Sequence, residues 1–316
     1  MKPPRDIHQH VTDQIVSMLE TCGAWERPWH RASITGDGLP VNAVTRQDYH
    51  GVNVLALWVT QMEKGYGANQ WASYRQWQGR GAQVRKGERA AIVVFYKTIH
   101  AAITTEGGNP VIDDDGNPAT KTLYFARASS VFNAEQVDGY TVETAEVERP
   151  ADKPLAERMD TAERFVGATR AVIRFGGNRA FYAPSTDQIQ MPPVDAFRDT
   201  RASTATETYY GTLLHELTHW TGHPSRCDRK FGSRFGDQSY AFKELVAELG
   251  AAFLCAGLGV SPAPREDHAA YLKHWLAILK SDKRAIFTAA STAQRAVDHL
   301  KGLQAAPVAV PLPVAA

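Results

Sequence analysis

The stretch Thr206–His223 reads TETYYGTLLHELTHWTGH, and inside it His215-Glu216-Leu217-Thr218-His219 forms a His-Glu-x-x-His. Leu213, Leu214, Leu217 and Trp220 recur at helical spacing around it, which predicts a helix over about residues 205–221. Thr206 or Ser203 can cap its start and Gly222 can end it. On such a helix, residues four apart differ by about 6 Å along the axis and about 40° in rotation. Both imidazoles then face one point in space and can grip one divalent ion. Glu216 is turned about 100° from His215, where its carboxylate reaches a water on that ion.

A catalytic zinc takes three protein ligands and keeps a position open for water. Three residues compete for the third place. His223 lies past Gly222 and would have to fold back. Glu244 and Glu248 share one face of a helix predicted over Tyr240–Gly257. The broad apolar side of that helix carries Phe242, Leu245, Val246, Leu249 and Phe253. Two carboxylates on so apolar a helix need a partner, because a buried unpaired charge is costly. Glu244 is assigned as the third ligand, and Glu248, one turn on, as the group that orients a metal-binding imidazole. The two roles are interchangeable at this level. Zinc is the first choice of ion, although two histidines and a carboxylate also suit manganese or another divalent metal. In this reading Glu216 is the catalytic proton carrier. Tyr240 and His223 are candidates to hold an oxyanion.

Upstream, Leu155, Met159, Ala162 and Val166 predict a helix, followed by strands near Ala171–Phe175 and Ala180–Met191. Tyr182–Pro192 has prolines near both ends and reads as an edge strand, a place where an extended peptide could add. Downstream, helices are expected near Glu266–Leu279 and Lys283–Leu300. The polar, proline-bearing stretch at residues 146–154 (EVERPADKP) marks a linker. It divides the chain into residues 1–145 and 155–304, with a Pro/Ala-rich tail at 305–316.

The first part has a different character. It opens with an amphipathic helix on Ile7, Val11, Ile15, Met18 and Leu19, and a second on Val52, Leu55, Ala56, Val59 and Met62. Ala91–Tyr96 and Leu123–Phe132 read as strands. The chain of 316 residues carries a net charge of only +1, which as a whole speaks against nucleic acid. Locally the balance differs. From Lys64 to Lys97 there are seven cations against Glu88 alone, a sum of +6. Trp71, Tyr74, Arg75, Trp77, Arg80, Arg85 and Lys86 interleave rings and cations, the pattern by which single-stranded DNA is held. Trp71, Tyr74 and Trp77 are expected in one short helix, and their spacing also suits a core.

Other classes are excluded. No apolar run is long enough for a membrane span, and no GxxxxGK[ST] loop supports a nucleotide cofactor. Cys22, Cys227 and Cys255 form no C-x-x-C pair, and Cys255 falls in an apolar helix where a small core residue is expected. With no signal-like opening segment, a cytoplasmic protein is expected.

Longer patterns resemble a known family. Trp25–Trp29 (WERPW), the region from Asn42 to Asn53, and the run from Trp71 to Glu88 resemble the N-terminal domain of ArdC antirestriction proteins, which plasmid primases of the TraC type share. YAPSTDQIQMP, HELTHWTGH, YAFKELVAELGAAFLCAGLG and YLKHWLAILKSDKRAIFTAASTAQRA resemble the zincin-like metallopeptidase domain of polyvalent mobile-element proteins. Lys243 departs from that pattern, which more typically has an acidic residue before the ligand Glu. The resemblance implies an α+β chain with an N-terminal domain binding single-stranded DNA and a mainly helical, gluzincin-like C-terminal domain with a small β-sheet. It implies a metal on His215, His219 and Glu244, with Glu216 in the catalytic position. It implies protection of incoming plasmid DNA from host restriction, with a restriction component or another protein as a possible peptidase substrate. A zinc metallopeptidase acting on DNA-associated proteins, with the first domain as a targeting module, is the alternative. A binding module with a vestigial zincin is a third.

Overall fold

The computed structural model describes residues 6–21, 38–103, 110–112, 118–141, 154–199, 203–230, 239–260 and 268–304. Trp25–Trp29, Cys22, residues 146–153 of the expected linker and the tail at 305–316 lie outside the described residues.

Helix α1 (Ile7–Thr21) packs on helix α2 (Val52–Lys64), which lies against a four-stranded sheet ordered β1-β2-β5-β4. Its strands are β1 (Val41–Asn42), β2 (Gln70–Ser73), β4 (Ala91–Ala102) and β5 (Thr120–Asn133). Strands β4 and β5 pair antiparallel from Ala91↔Val131 to Ala102↔Thr120, a hairpin longer than the two predicted segments. Between β2 and β4 the chain makes helix α3 (Tyr74–Gly79) and strand β3 (Gln83–Val84), which pairs with β6 (Val137–Asp138).

Two expectations need correction here. Trp71 sits on strand β2, and only Tyr74 and Trp77 are helical. Ser73 makes the switch: its side chain accepts from the Gln76 backbone N–H, and the Gln76 side chain accepts back from the Ser73 backbone N–H, a capping box that starts the helix there. Helix α2 is not amphipathic in place, because every residue from Val52 to Gln61 is buried. Asn53 tolerates this burial by pairing with the backbone of Val94 on β4. Its amide donates to the Val94 carbonyl at 2.9 Å and its oxygen accepts from the Val94 N–H at 2.7 Å.

The second half comprises α4 (Leu155–Thr169), a sheet ordered β7-β9-β8, and helices α5 (Ala205–Trp220), α6 (Ser239–Leu258), α7 (His268–Ser281) and α8 (Ala285–Gly302). The sheet strands are β7 (Val172–Phe175), β8 (Phe181–Ala183) and β9 (Gln188–Met191). The expected single strand over Ala180–Met191 is therefore a hairpin. Asp187 takes a left-handed conformation (φ 52°) in its turn, and Gln188–Met191 is the central strand rather than an edge. Of this hairpin, Phe181–Ala183 is the strand at an edge.

One apolar core runs through both halves, from Val11 on α1 to Leu300 on α8. The Trp58 and Phe253 rings meet across it at 5.9 Å between centroids. Thr12 Oγ1 donates to the Lys283 carbonyl at 2.8 Å, and the Gly51 N–H donates to Gln294 Oε1 at 3.0 Å. The two halves on either side of the expected linker thus share their interior.

Candidate metal centre

Helix α5 is fixed at both ends. Thr204 caps it, one residue after Ser203 and two before Thr206. Its hydroxyl accepts from the Glu207 N–H, and the Glu207 carboxylate accepts from the Thr204 N–H at 3.1 Å. Arg158 Nη1 donates to the same carboxylate at 2.8 Å. At the far end, Arg229 donates to the carbonyls of Thr218 and His219, and Arg226 Nε donates to Trp220 O at 2.7 Å. These cations satisfy carbonyls that the helix leaves without partners and complement its negative end. Arg226 also lies 3.8 Å over the Trp220 ring and pairs with Asp187, tying the β8–β9 turn to the helix.

Helix α6 runs close beside α5. A Cβ built on Gly250 would lie 2.5 Å from Thr218 Cγ2, so only glycine permits this approach as it stands. The approach brings the carboxylate face of α6 to the histidines. His215 Nε2 and His219 Nε2 are 3.2 Å apart. Glu244 Oε2 is 3.4 Å from His215 Nε2, and Glu244 Oε1 is 3.3 Å from His219 Nε2. A tetrahedral ion with bonds of about 2.0–2.2 Å holds its ligands about 3.3–3.6 Å apart. The two imidazole nitrogens and the two Glu244 oxygens lie near this spacing, so the three side chains can gather around such an ion.

Glu248 stands on the other side of His215, with Oε2 3.4 Å from Nδ1. Glu244 and Glu248 therefore address opposite edges of one imidazole. Burial works to raise the Glu244 carboxyl, but its hydrogen bonds to His215 and His219 outweigh this and hold it well below the usual carboxylate range. Glu216 is buried beside the ligand pair in sequence. His223 is outside the cluster, its Nδ1 2.8 Å from Ser225 Oγ. Tyr240 is exposed at the start of α6. Cys255 is fully buried and burial pushes its thiol up, as befits a core residue.

The residues expected to hold DNA divide in two. Trp71 and Trp77 are 0 % exposed, so neither offers a ring face to a base, and this part of the expectation is corrected. Trp77 Nε1 donates to Phe132 O at 3.1 Å and its ring meets Tyr140, while Trp71 packs on Tyr66. Tyr74, Arg75, Arg80, Arg85 and Lys86 are exposed.

Comparison with known proteins places both halves. The model for the N-terminal domain of anti-restriction factor ArdC matches residues 5–132, and that for a zincin-like metallopeptidase matches residues 160–292. The crystal structure of antirestriction ArdC protein from the R388 plasmid, in its metal-free form, superposes with a TM-score of 0.73 at 39 % identity, covering 95 % of this chain and 98 % of that one. This chain belongs to the ArdC antirestriction family. The Mn(II)-bound ArdC structure superposes with a TM-score of 0.71 at 37 % identity, with the same coverage. An uncharacterized protein of Sinorhizobium fredii, y4eC, is 44 % identical over 95 % of this chain and 93 % of its own length. DNA primase TraC of Escherichia coli is 36 % identical over 94 % of this chain, which spans only 27 % of that longer protein.

Within this ArdC-family chain, sequence reasoning missed the residues that set the helix spacing and the helix end. Arg226 and Arg229 carry no local signal of their role. Gly250, in the middle of an apolar helix, is a signal that was available, since glycine there lowers helix propensity without a packing reason.

Proposed function

We propose that this ArdC-family protein binds single-stranded DNA through its N-terminal half, holds one divalent ion on His215, His219 and Glu244, and protects incoming DNA from host restriction in the cytoplasm. The convergence of both imidazole Nε2 atoms and the Glu244 carboxylate, each nitrogen 3.3–3.4 Å from one of its oxygens, is the observation that carries the metal reading. A zinc or manganese ion held there supplies a Lewis acid that polarises a carbonyl and acidifies a bound water. The Glu248 carboxylate, 3.4 Å from His215 Nδ1, favours a proton on that nitrogen and so the tautomer that turns the Nε2 lone pair toward the cluster. Under the peptidase reading below, Glu216 would take a proton from the attacking water and pass it to the amine released as the peptide C–N bond breaks. His219 is the more exposed of the two histidines, so a substrate approaches from its side. No helix among the described residues is long and apolar enough to cross a membrane.

The His-Glu-x-x-His position of Glu216 favours a second reading, a peptidase that the DNA-binding half delivers to DNA-associated proteins. Conjugative delivery of unmodified plasmid into a restricting host separates the two. Wild-type protein should raise transfer. Glu216→Ala removes the proton carrier but no ligand. If Glu216→Ala protects fully, hydrolysis is not the mechanism; if protection is lost while metal content is retained, the peptidase reading holds. Failure of the wild-type chain to protect in such a host sinks the antirestriction proposal.

A further inference from the structure

An open cleft of about 670 Å³ lies between α3 and the β3–β6 pair, lined among others by Tyr74, Gln83, Arg85, Lys86, Phe132 and Asp138. Its chemistry differs from that of a phosphate groove. Arg85 and Lys86 are matched there by Glu88 and Asp138, so the formal charges of the lining residues sum to zero. Exposed Arg75 and Arg89 adjoin the lining residues Tyr74 and Glu88 in sequence and, with exposed Arg80, add positive charge outside the cleft lining. A phosphate gains little inside a neutral cleft, whereas a base finds an aromatic wall. The Tyr74 ring is 41 % exposed, and Gln83 Nε2 donates to its hydroxyl at 3.0 Å, which steadies the ring.

The two carboxylates are not equivalent. Glu88 accepts from Arg85 at 2.8 Å and from Gln136 at 3.0 Å. Asp138 is 70 % exposed and only loosely paired, 3.7 Å from Arg85, which is itself engaged with Glu88 and the Glu135 carbonyl. Asp138 is thus the acceptor open to a ligand. A carboxylate accepts from the exocyclic amine of cytosine, but it meets the O4 acceptor of thymine with repulsion.

We infer that this cleft takes one base of a single strand, stacked on Tyr74, and that Asp138 makes it prefer cytosine to thymine. The inference rests on the single-strand reading above. It is tested on the full chain by fluorescence anisotropy with labelled short homopolymers of deoxycytidylate and thymidylate at one fixed salt concentration. The cytidylate should bind about tenfold more tightly, the discrimination of one good base contact. Asp138→Asn should bring the ratio close to one, because an amide can serve either base, and should leave the salt dependence unchanged. Tyr74→Ala should weaken both oligomers together. Equal binding of the two oligomers by the wild type, or a ratio that survives Asp138→Asn, overturns the inference while leaving single-strand binding intact. If neither oligomer binds, the single-strand reading falls and this one with it.

Discussion

Replacing Gly250 by alanine tests what holds the metal centre together. The new methyl would sit 2.5 Å from Thr218 Cγ2 and 2.8 Å from Thr218 Oγ1. Carbon atoms in contact prefer about 3.5–4.0 Å, so α5 and α6 must part by about 1 Å. Thr218 has little room to turn away, since it is fully buried and its hydroxyl donates to the Leu214 carbonyl at 2.9 Å. Overpacking of this kind costs about 1–3 kcal/mol, and the helix preference for alanine over glycine returns about 1 kcal/mol. Global stability should therefore fall by about 0–2 kcal/mol. The local effect is larger. Thr218 adjoins His219, and Glu244 lies about 9 Å along α6 from Gly250. A shift of about 1 Å would pull the Glu244 carboxylate out of the ligand distances that zinc requires. Zinc affinity, measured by competition with a chromogenic chelator, should drop about 10- to 100-fold, as it does when ligand support is lost. Thr218→Ala in the Gly250→Ala background removes both offending atoms and leaves the nearest at 3.2 Å, so it should restore most of the affinity. If Gly250→Ala binds zinc as tightly as the wild type, the close approach of the helices does not set the site, and the reasoning is refuted.

Glu248→Ala should lower zinc affinity about 10- to 100-fold with the three donors intact, and Glu248→Gln should lower it less, both read by the same competition. Burial raises the Glu207 carboxyl, but bonds from Thr204 and Arg158 outweigh this and set it below its ordinary value. A depressed carboxyl stabilises the fold fully above about pH 4.5 and loses that contribution as pH falls through its folded value. Urea unfolding from pH 6 to 3, as approximate limits, should therefore show a shallower acid limb for Glu207→Gln. Trp71→Ala should destabilise the chain by about 3–5 kcal/mol, whereas Tyr74→Ala should leave the melting temperature nearly unchanged and weaken single-strand binding by about 1–3 kcal/mol. The opposite pattern would return Trp71 to the binding surface.

The parts legible in the sequence are those that helix geometry fixes locally. The angle between His215, Glu216 and His219 follows from 3.6 residues per turn and needs no tertiary knowledge. The shared face of Glu244 and Glu248 is legible in the same way. Which of them turns toward Nε2 depends on how α5 crosses α6, and that is set by Gly250 against Thr218. Trp71 was misplaced because its spacing of three from Tyr74 fits a helix, while the Ser73 cap that breaks the run is a weaker signal. The burial of α2 from Val52 to Gln61 is not legible either, since part of its covering comes from distant residues such as Phe253, which meets Trp58. Asp138 escaped notice because its neighbours in the cleft come from three separate stretches of chain.

The interior common to both halves has a consequence for inheritance. Trp58 and Phe253 each complete the other's surroundings, so a half acquired alone would bring an uncovered aromatic with it. An exchange that kept only one half would therefore have to supply a new cover for that ring. The TraC primase match extends over both halves, 304 residues of a much longer protein, so the likeness there takes in both sides of this shared interior.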